Sequence, residues 1–205
     1  MSGLRERKKV QTRADLSWAA VRLCIERGFD NVRVEEIAEE AGVSPRTFNN
    51  YFSSKAEAVV ARHLDRCLRV ADDLRARPAA EPLWQAIRHA ARVQFDVGPE
   101  LTANPVPVDA ERWRAGLRVL LDHPAMQGEF LRASAIGERE IAAVVAERTG
   151  TDAEQDLYPR LVAGALMAVN HVVMQTFQAR GGRPVPIDRL LDEALDLLTS
   201  GLREP

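Results

Sequence analysis

Arg46, Thr47 and Asn50 stand within five positions of one another and carry side chains suited to the edges of DNA bases. A guanidinium can pair in bidentate fashion with guanine, a carboxamide with adenine, and a Thr methyl can touch a thymine methyl. At about 100° per residue the three share one side of a helix. Phe48 and Phe52, spaced i and i+4, then fall together on the opposite, buried side. Asn49 and Tyr51 lie on the flanks, where side chains meet phosphate rather than bases, and Ser44, Lys55 and Arg13 are placed to join them. The chemistry in question is therefore recognition of double-stranded DNA.

Such a helix needs a support that fixes its angle, and the residues before it supply one. Val34, Ile37, Ala38 and Ala41 recur at i, i+3, i+4 and i+7, giving one apolar stripe, with Glu35, Glu36, Glu39 and Glu40 outside it. Gly42 ends this helix because it takes a left-handed conformation without a Cβ penalty. Ser44 supplies an N-terminal acceptor for the next helix, and Pro45 at its first position has no N–H to leave unsatisfied. Two short helices joined by a glycine-centred turn make a helix-turn-helix. The same turn also occurs in helical proteins that do not bind DNA, so the flank matters. Residues 4–13 hold Arg5, Arg7, Lys8, Lys9 and Arg13 against the single acid Glu6, which reads as a basic, phosphate-seeking arm. Residues 1–55 carry a net charge of +2 and the remainder −4. With an overall charge of −2, DNA affinity must come from the N-terminal end.

The stretch resembles the tetracycline-repressor (TetR) family of bacterial transcription regulators. The matching residues are Gly28-Phe29, Ile37-Ala38, Ala41-Gly42-Val43-Ser44, Thr47, Tyr51-Phe52 and Lys55. Two positions depart from the family pattern. Arg33 stands where a Thr usually caps the second helix, which removes the side-chain acceptor expected before Glu36. Asn49 stands where an aromatic phosphate contact is common. The resemblance implies a dimeric repressor on a palindromic operator, closed by its last two long helices and released by a small molecule bound among the C-terminal helices. The Ser-Pro-Arg-Thr-Phe wording of the recognition helix, with Asn-Tyr-Phe and the later His123-Pro124, looks like actinobacterial members that sense acyl-thioester-like hydrophobic ligands.

Composition agrees with an all-α protein: 46% of residues are hydrophobic, only 5% aromatic, and β-branched runs are few. The expected organisation is a three-helix DNA-binding domain over residues 1–55 and a larger helical domain for effector binding and dimerisation over 56–205. Proline and glycine punctuation predicts helices over 13–27, 55–77, 83–97, 110–123, 125–148, 153–180 and 187–202, with a Pro-rich loop across 98–108. The 153–180 block is apolar on more than one face, through Leu161, Val162, Ala165, Leu166, Val169, Val172, Val173 and Phe177. It is expected to bury one face within the chain and the other against a second copy, with Leu190, Leu191, Leu195, Leu197 and Leu198 beside it, in a homodimer closed by a four-helix bundle. A single-chain core helix is the alternative.

Candidate lining for an effector site consists of Trp84, Phe95, Trp113, Met126, Phe130, Met167, Asn170, His171 and Met174, since aromatic and Met side chains with a few polar groups suit an apolar ligand. The same residue types also fill ordinary cores. Asn170-His171 need partners if buried, from a ligand, a second copy or a neighbouring carbonyl. No nucleophile elbow, phosphate loop or paired metal ligands are present, so no catalytic residue, metal or cofactor is expected. Cys24 and Cys67 follow no metal or redox spacing and read as reduced core residues of a cytoplasmic protein without a signal peptide or membrane span. A helical ligand-binding or interaction module without base-specific DNA contacts is the competing reading, in which Arg46, Thr47 and Asn50 are incidental surface.

Overall fold

The computed structural model describes residues 2–93, 110–179 and 186–202, and every regular element among them is helical. In chain order these are α1 (Ser2–Arg27), a 3₁₀ turn (Phe29–Asn31), α2 (Val34–Glu40), α3 (Pro45–Tyr51), α4 (Lys55–Ala76), α5 (Leu83–Val93), α6 (Ala110–Leu121), α7 (Pro124–Thr149), α8 (Leu157–Ala179) and α9 (Ile187–Thr199). Residues 94–97 of the helix expected over 83–97, and the loop expected across 98–108, lie outside the described residues. The punctuation placed the α-helices within a few residues, with one exception. The helix expected to begin at Arg13 begins at Ser2, so the basic segment is helical rather than an arm. Between Gly3 and Gly28 the sequence holds neither Gly nor Pro, and its Arg, Lys, Glu and Gln are good helix formers.

Contacts gather the described residues into two compact units. The first holds α1 to α3, the beginning of α4, α6 and the beginning of α7; the second holds the rest of α4 and α7 with α5, α8 and α9. α6 joins the first unit because it packs on α1. Trp18 and Trp113 stack with ring centroids 5.4 Å apart. Gly116 lies so close to α1 that a Cβ there would come within 2.6 Å of Ile25 Cγ2. The core of this unit is built from Leu16, Ala20, Leu23, Cys24, Val32, Ile37, Ala38, Phe48 and Phe52, all buried.

The second unit has its own core, which draws Leu74 from α4, Ile87 from α5, Ile141 and Val144 from α7, Val162 and Leu166 from α8, and Leu191 and Leu195 from α9. Gly137 of α7 meets Cys67 of α4, where an added Cβ would stand 2.5 Å from Cys67 Cβ. Arg148 secures the end of α4 by donating to the carbonyls of Arg77, Pro78 and Glu81 at 3.0, 3.0 and 3.1 Å. Those carbonyls belong to a helix end and the turn after it, where acceptors otherwise lack partners. Arg88 and Arg92 of α5 bind Asp192 of α9, at 3.0 and 2.7 Å. Burial would raise the Asp192 carboxyl, but the hydrogen bonds from Arg92 and Arg88 outweigh it and hold the group below its ordinary range.

α8 divides as its two-sided pattern requires. Val162, Leu166, Val169 and Val173 are buried, while Leu157, Leu161, Val172 and Phe177 are exposed. By length and composition alone Leu157–Phe177 would also pass for a membrane-crossing helix, with mean hydropathy 1.3. One of its faces instead contributes to the core of the second unit.

Candidate nucleic-acid interface

The turn between α2 and α3 is set by backbone geometry. Gly42 adopts φ 67°, in the left-handed region. Its N–H donates to the Glu39 carbonyl and that of Val43 to the Ala38 carbonyl, both at 2.9 Å. This pair of bonds is a Schellman motif, and it satisfies carbonyls that the end of α2 would leave open. At the other side of the turn Ser44 Oγ accepts from the Thr47 N–H at 3.1 Å and lies 2.9 Å from Thr47 Oγ1. Pro45 opens the helix, as its fixed φ favours.

α2 starts without a side-chain acceptor, as the arginine at its N-cap dictates, since a guanidinium has donors only. The reciprocal half of a capping box is present: the Arg33 N–H donates to Glu36 Oε2 at 2.8 Å. Glu36 also takes Arg27 at 2.7 Å, and Arg22 pairs with Glu40, so the acidic face of α2 is laced to α1.

On α3 the two faces separate as the spacing demands. Phe48 and Phe52 are 0% and 1% exposed, with ring centroids 5.7 Å apart. Arg46, Asn49 and Asn50 are exposed, and Thr47 and Tyr51 are half-buried. The Arg46 and Asn50 side chains make no hydrogen bond within the described residues, whereas the Thr47 hydroxyl is engaged by Ser44. Arg13 lies over the Phe52 ring, 5.2 Å from its centroid. Arg46, Thr47, Asn49, Asn50 and Tyr51 thus share this one short helix, with Ser44 as its cap.

Lys55 has a further role that its position in the sequence does not reveal. Its ammonium donates to the carbonyls of Phe29 and Val32, the latter at 2.6 Å, and sits 4.1 Å from the Phe29 ring centroid. Phe29 also packs on His123, 4.5 Å between centroids, and His123 Nε2 faces Asp30 Oδ1 at 3.5 Å. His123 Nδ1 accepts from the Ala125 N–H at 3.2 Å, which leaves the proton of the neutral ring on Nε2, toward Asp30. Phe29 is the hub of this cluster. At the start of α4 the Ser54 hydroxyl accepts from the Glu57 N–H, while Glu57 accepts from the Ser53 amide and hydroxyl at 2.7 and 2.6 Å. Burial opposes ionisation of Glu57, but these bonds and Arg132 bring its carboxyl below the ordinary value.

The proposed effector-lining residues divide between the two units. Trp113 stacks on Trp18, Met126 is fully buried, and Phe130 lies 5.2 Å from the His63 ring, all in the first unit. Trp84 and Met167 pack against the core of the second unit. Asn170 and Met174 are half-buried, while His171 is exposed, so solvent can satisfy its ring and the demand for an internal partner falls on Asn170 alone. Phe95 lies outside the described residues. No group of three or more His, Cys, Asp or Glu side chains among the described residues could hold a metal ion. Burial pushes the Cys24 and Cys67 thiols up to about 11, which suits inert core residues.

Comparison with known proteins agrees with this geometry. Residues 18–61 match the family described as bacterial regulatory proteins of the tetR family, and residues 81–203 match the MftR C-terminal domain. The chain is 32% identical over 199 residues to the HTH-type transcriptional regulator TcmR of Streptomyces glaucescens, covering 96% of this chain and 86% of that one. It is 27% identical to MftR of Mycobacterium tuberculosis, named for mycofactocin biosynthesis regulation, covering 96% and 93%. The fold matches a crystal structure of a Rhodococcus sp. protein assigned to the TetR family, with a TM-score of 0.57 and 19% identity over 93% of this chain and 98% of that one. Members of this family bind DNA and small-molecule effectors and act as dimers. The helix-turn-helix, the helical C-terminal part and these matches together place the chain in the TetR family of bacterial transcriptional regulators.

Proposed function

We propose that the protein is a cytoplasmic repressor that binds a palindromic operator as a homodimer and leaves it when a small, largely hydrophobic effector binds. The observation that carries the DNA half of this reading is the exposure of Arg46 and Asn50 on α3, anchored from behind by buried Phe48 and Phe52. In this reading Arg46, Thr47 and Asn50 read base edges, while Ser44, Asn49, Tyr51 and Arg13 contact phosphate. Lys55 spends two donors inside the domain and keeps one N–H for the backbone of the DNA.

Leu157, Leu161 and Val172, exposed on one side of α8, and Leu197, exposed on α9, support the dimer. Exposed apolar side chains of this kind fit a second copy, and two α8–α9 pairs would close a four-helix bundle. One recognition helix reads only a few base pairs, so a twofold axis doubles the site. Half-buried Trp84, Met167 and Met174 in the second unit are the side chains best suited to an apolar effector, whose binding would bias a two-state equilibrium through differential affinity. No catalytic step, metal or cofactor enters this reading.

Selection of bound duplexes from a randomised DNA pool with purified protein tests it. Enrichment of a palindrome is the expected result and gives the half-site spacing. Absence of any enriched sequence, from protein shown to be free of bound small molecules, would favour the helical module without base-specific contacts. Light scattering that reports only monomer at micromolar concentration would remove the dimer.

A further inference from the structure

Along α1 the inward face is marked by Leu23, Ala20 and Leu16, all buried. The same three- and four-residue stepping continued toward the N-terminus passes through Arg13 and Thr12, then Lys9, Lys8 and Arg5. The face that packs against the domain therefore becomes a cationic face where the helix runs on past it. Arg5, Lys8 and Lys9 are exposed, and Arg7 turns to the other side of the helix. Arg13 fixes where this row starts, because its guanidinium lies over Phe52, the residue that ends the recognition helix. From Arg13 to Arg5 the helix rises about 12 Å, and duplex DNA presents about seven phosphates along that length of its axis.

We propose that this overhanging face of α1 is a second DNA-contact surface, a cationic rail for the sugar-phosphate backbone flanking each half-site, outside the base pairs that α3 faces. The proposal rests on the reading of α3 as the recognition helix. Its cations are spaced along one face, as backbone contact requires, and they include no Asn or Gln for reading adenine. The rail lengthens the footprint without lengthening the specified sequence. Because the segment is already helical, binding does not bear the ordering cost that a flexible basic arm would.

The experiment compares the full-length protein with the triple variant Arg5→Gln, Lys8→Gln, Lys9→Gln on the palindrome found by selection, embedded in long flanks and trimmed to the half-sites. Hydroxyl-radical footprinting should show backbone protection outside the half-sites for the parent and its loss in the variant. The slope of log affinity against log salt should fall by about 2.7 per protomer, at about 0.9 for each lost phosphate contact. The parent should bind the trimmed duplex more weakly than the long one, and the variant should bind both alike, with the preferred half-site sequence unchanged. A second variant, Val10→Pro, keeps every charge but breaks the helix within the segment. It should lose the flank protection too. Protection retained by Val10→Pro would mean that charge alone suffices and would overturn the rail. An unchanged slope and footprint in the triple variant, with half-site recognition intact, would overturn the proposal and leave the role of α3 standing. Failure of the parent to enrich any duplex would remove both.

Discussion

Lys55 Nζ donates to the Val32 carbonyl at 2.6 Å while resting 4.1 Å from the centroid of the Phe29 ring, so one ammonium at the start of α4 fastens the chain that leads into α2. Hydrogen bonds to charged groups contribute about 1.5–3 kcal/mol each, and the ring contact adds to them. Lys55→Met should therefore destabilise the protein by at least about 3 kcal/mol in urea unfolding. The salt slope of DNA binding should change by no more than about one phosphate contact. A large change in slope with stability intact would mean that the lysine serves DNA alone.

Arg46 and Asn50 should behave in the opposite way. Arg46→Ala and Asn50→Ala are each expected to weaken operator binding by about 1–3 kcal/mol and to relax sequence preference at one or two positions of each half-site. Their thermal unfolding should match the parent, because both side chains are exposed and make no hydrogen bond within the described residues. Unchanged affinity in both would remove direct base readout.

Gly137 tests the packing of α7 on α4. In Gly137→Ala the new methyl would stand 2.5 Å from Cys67 Cβ, so the helices must separate. Overpacking of this kind costs about 1–3 kcal/mol. Adding Cys67→Gly should recover part of the loss despite the helix penalty of glycine, and a double variant no better than the sum of the two singles would show that the contact is not the cause.

Glu81 gives a pH signature. Its carboxyl is held down to about 2, chiefly by hydrogen bonds from Arg77 at 2.7 and 2.9 Å working against burial, with His89 assisting at 2.8 Å. A carboxyl whose folded pKa lies below its unfolded value stabilises the fold above the unfolded value and loses that contribution as pH falls. Stability should accordingly decline from about pH 4.5 toward pH 2. Glu81→Gln should flatten that decline in unfolding curves collected between pH 6 and 2.5. An identical slope in parent and variant would show that other carboxyls govern acid sensitivity.

The two faces of α3 and the turn before it were legible in the sequence because their constraints are local. The Phe48 and Phe52 spacing, Gly42 and the Ser44-Pro45 pair each act within one helix or one turn, and each appears as expected. What escaped depends on distant partners. Nothing near Lys55 announces that its ammonium belongs to carbonyls 23 and 26 residues earlier. Nor does the pattern around Trp113 disclose that α6 lies against Trp18 and Ile25, which puts it with α1 rather than with the helices that follow. The length of α1 was available in principle, since no breaker interrupts residues 4–27, but the density of positive charge read as a phosphate-seeking arm.

The sharp corner before α3 is held by main-chain bonds around Gly42 and by the hydroxyl of Ser44, none of which involves Arg46 or Asn50. The scaffold and the outward residues are therefore separable. If Arg46 and Asn50 read bases as proposed, a descendant gene could exchange those two side chains and acquire a new target sequence while inheriting the corner unchanged, whereas Thr47, tied to the cap, is less free to drift. Divergence of regulatory circuits after gene duplication would then need only a handful of codon changes, confined to one face of a seven-residue helix.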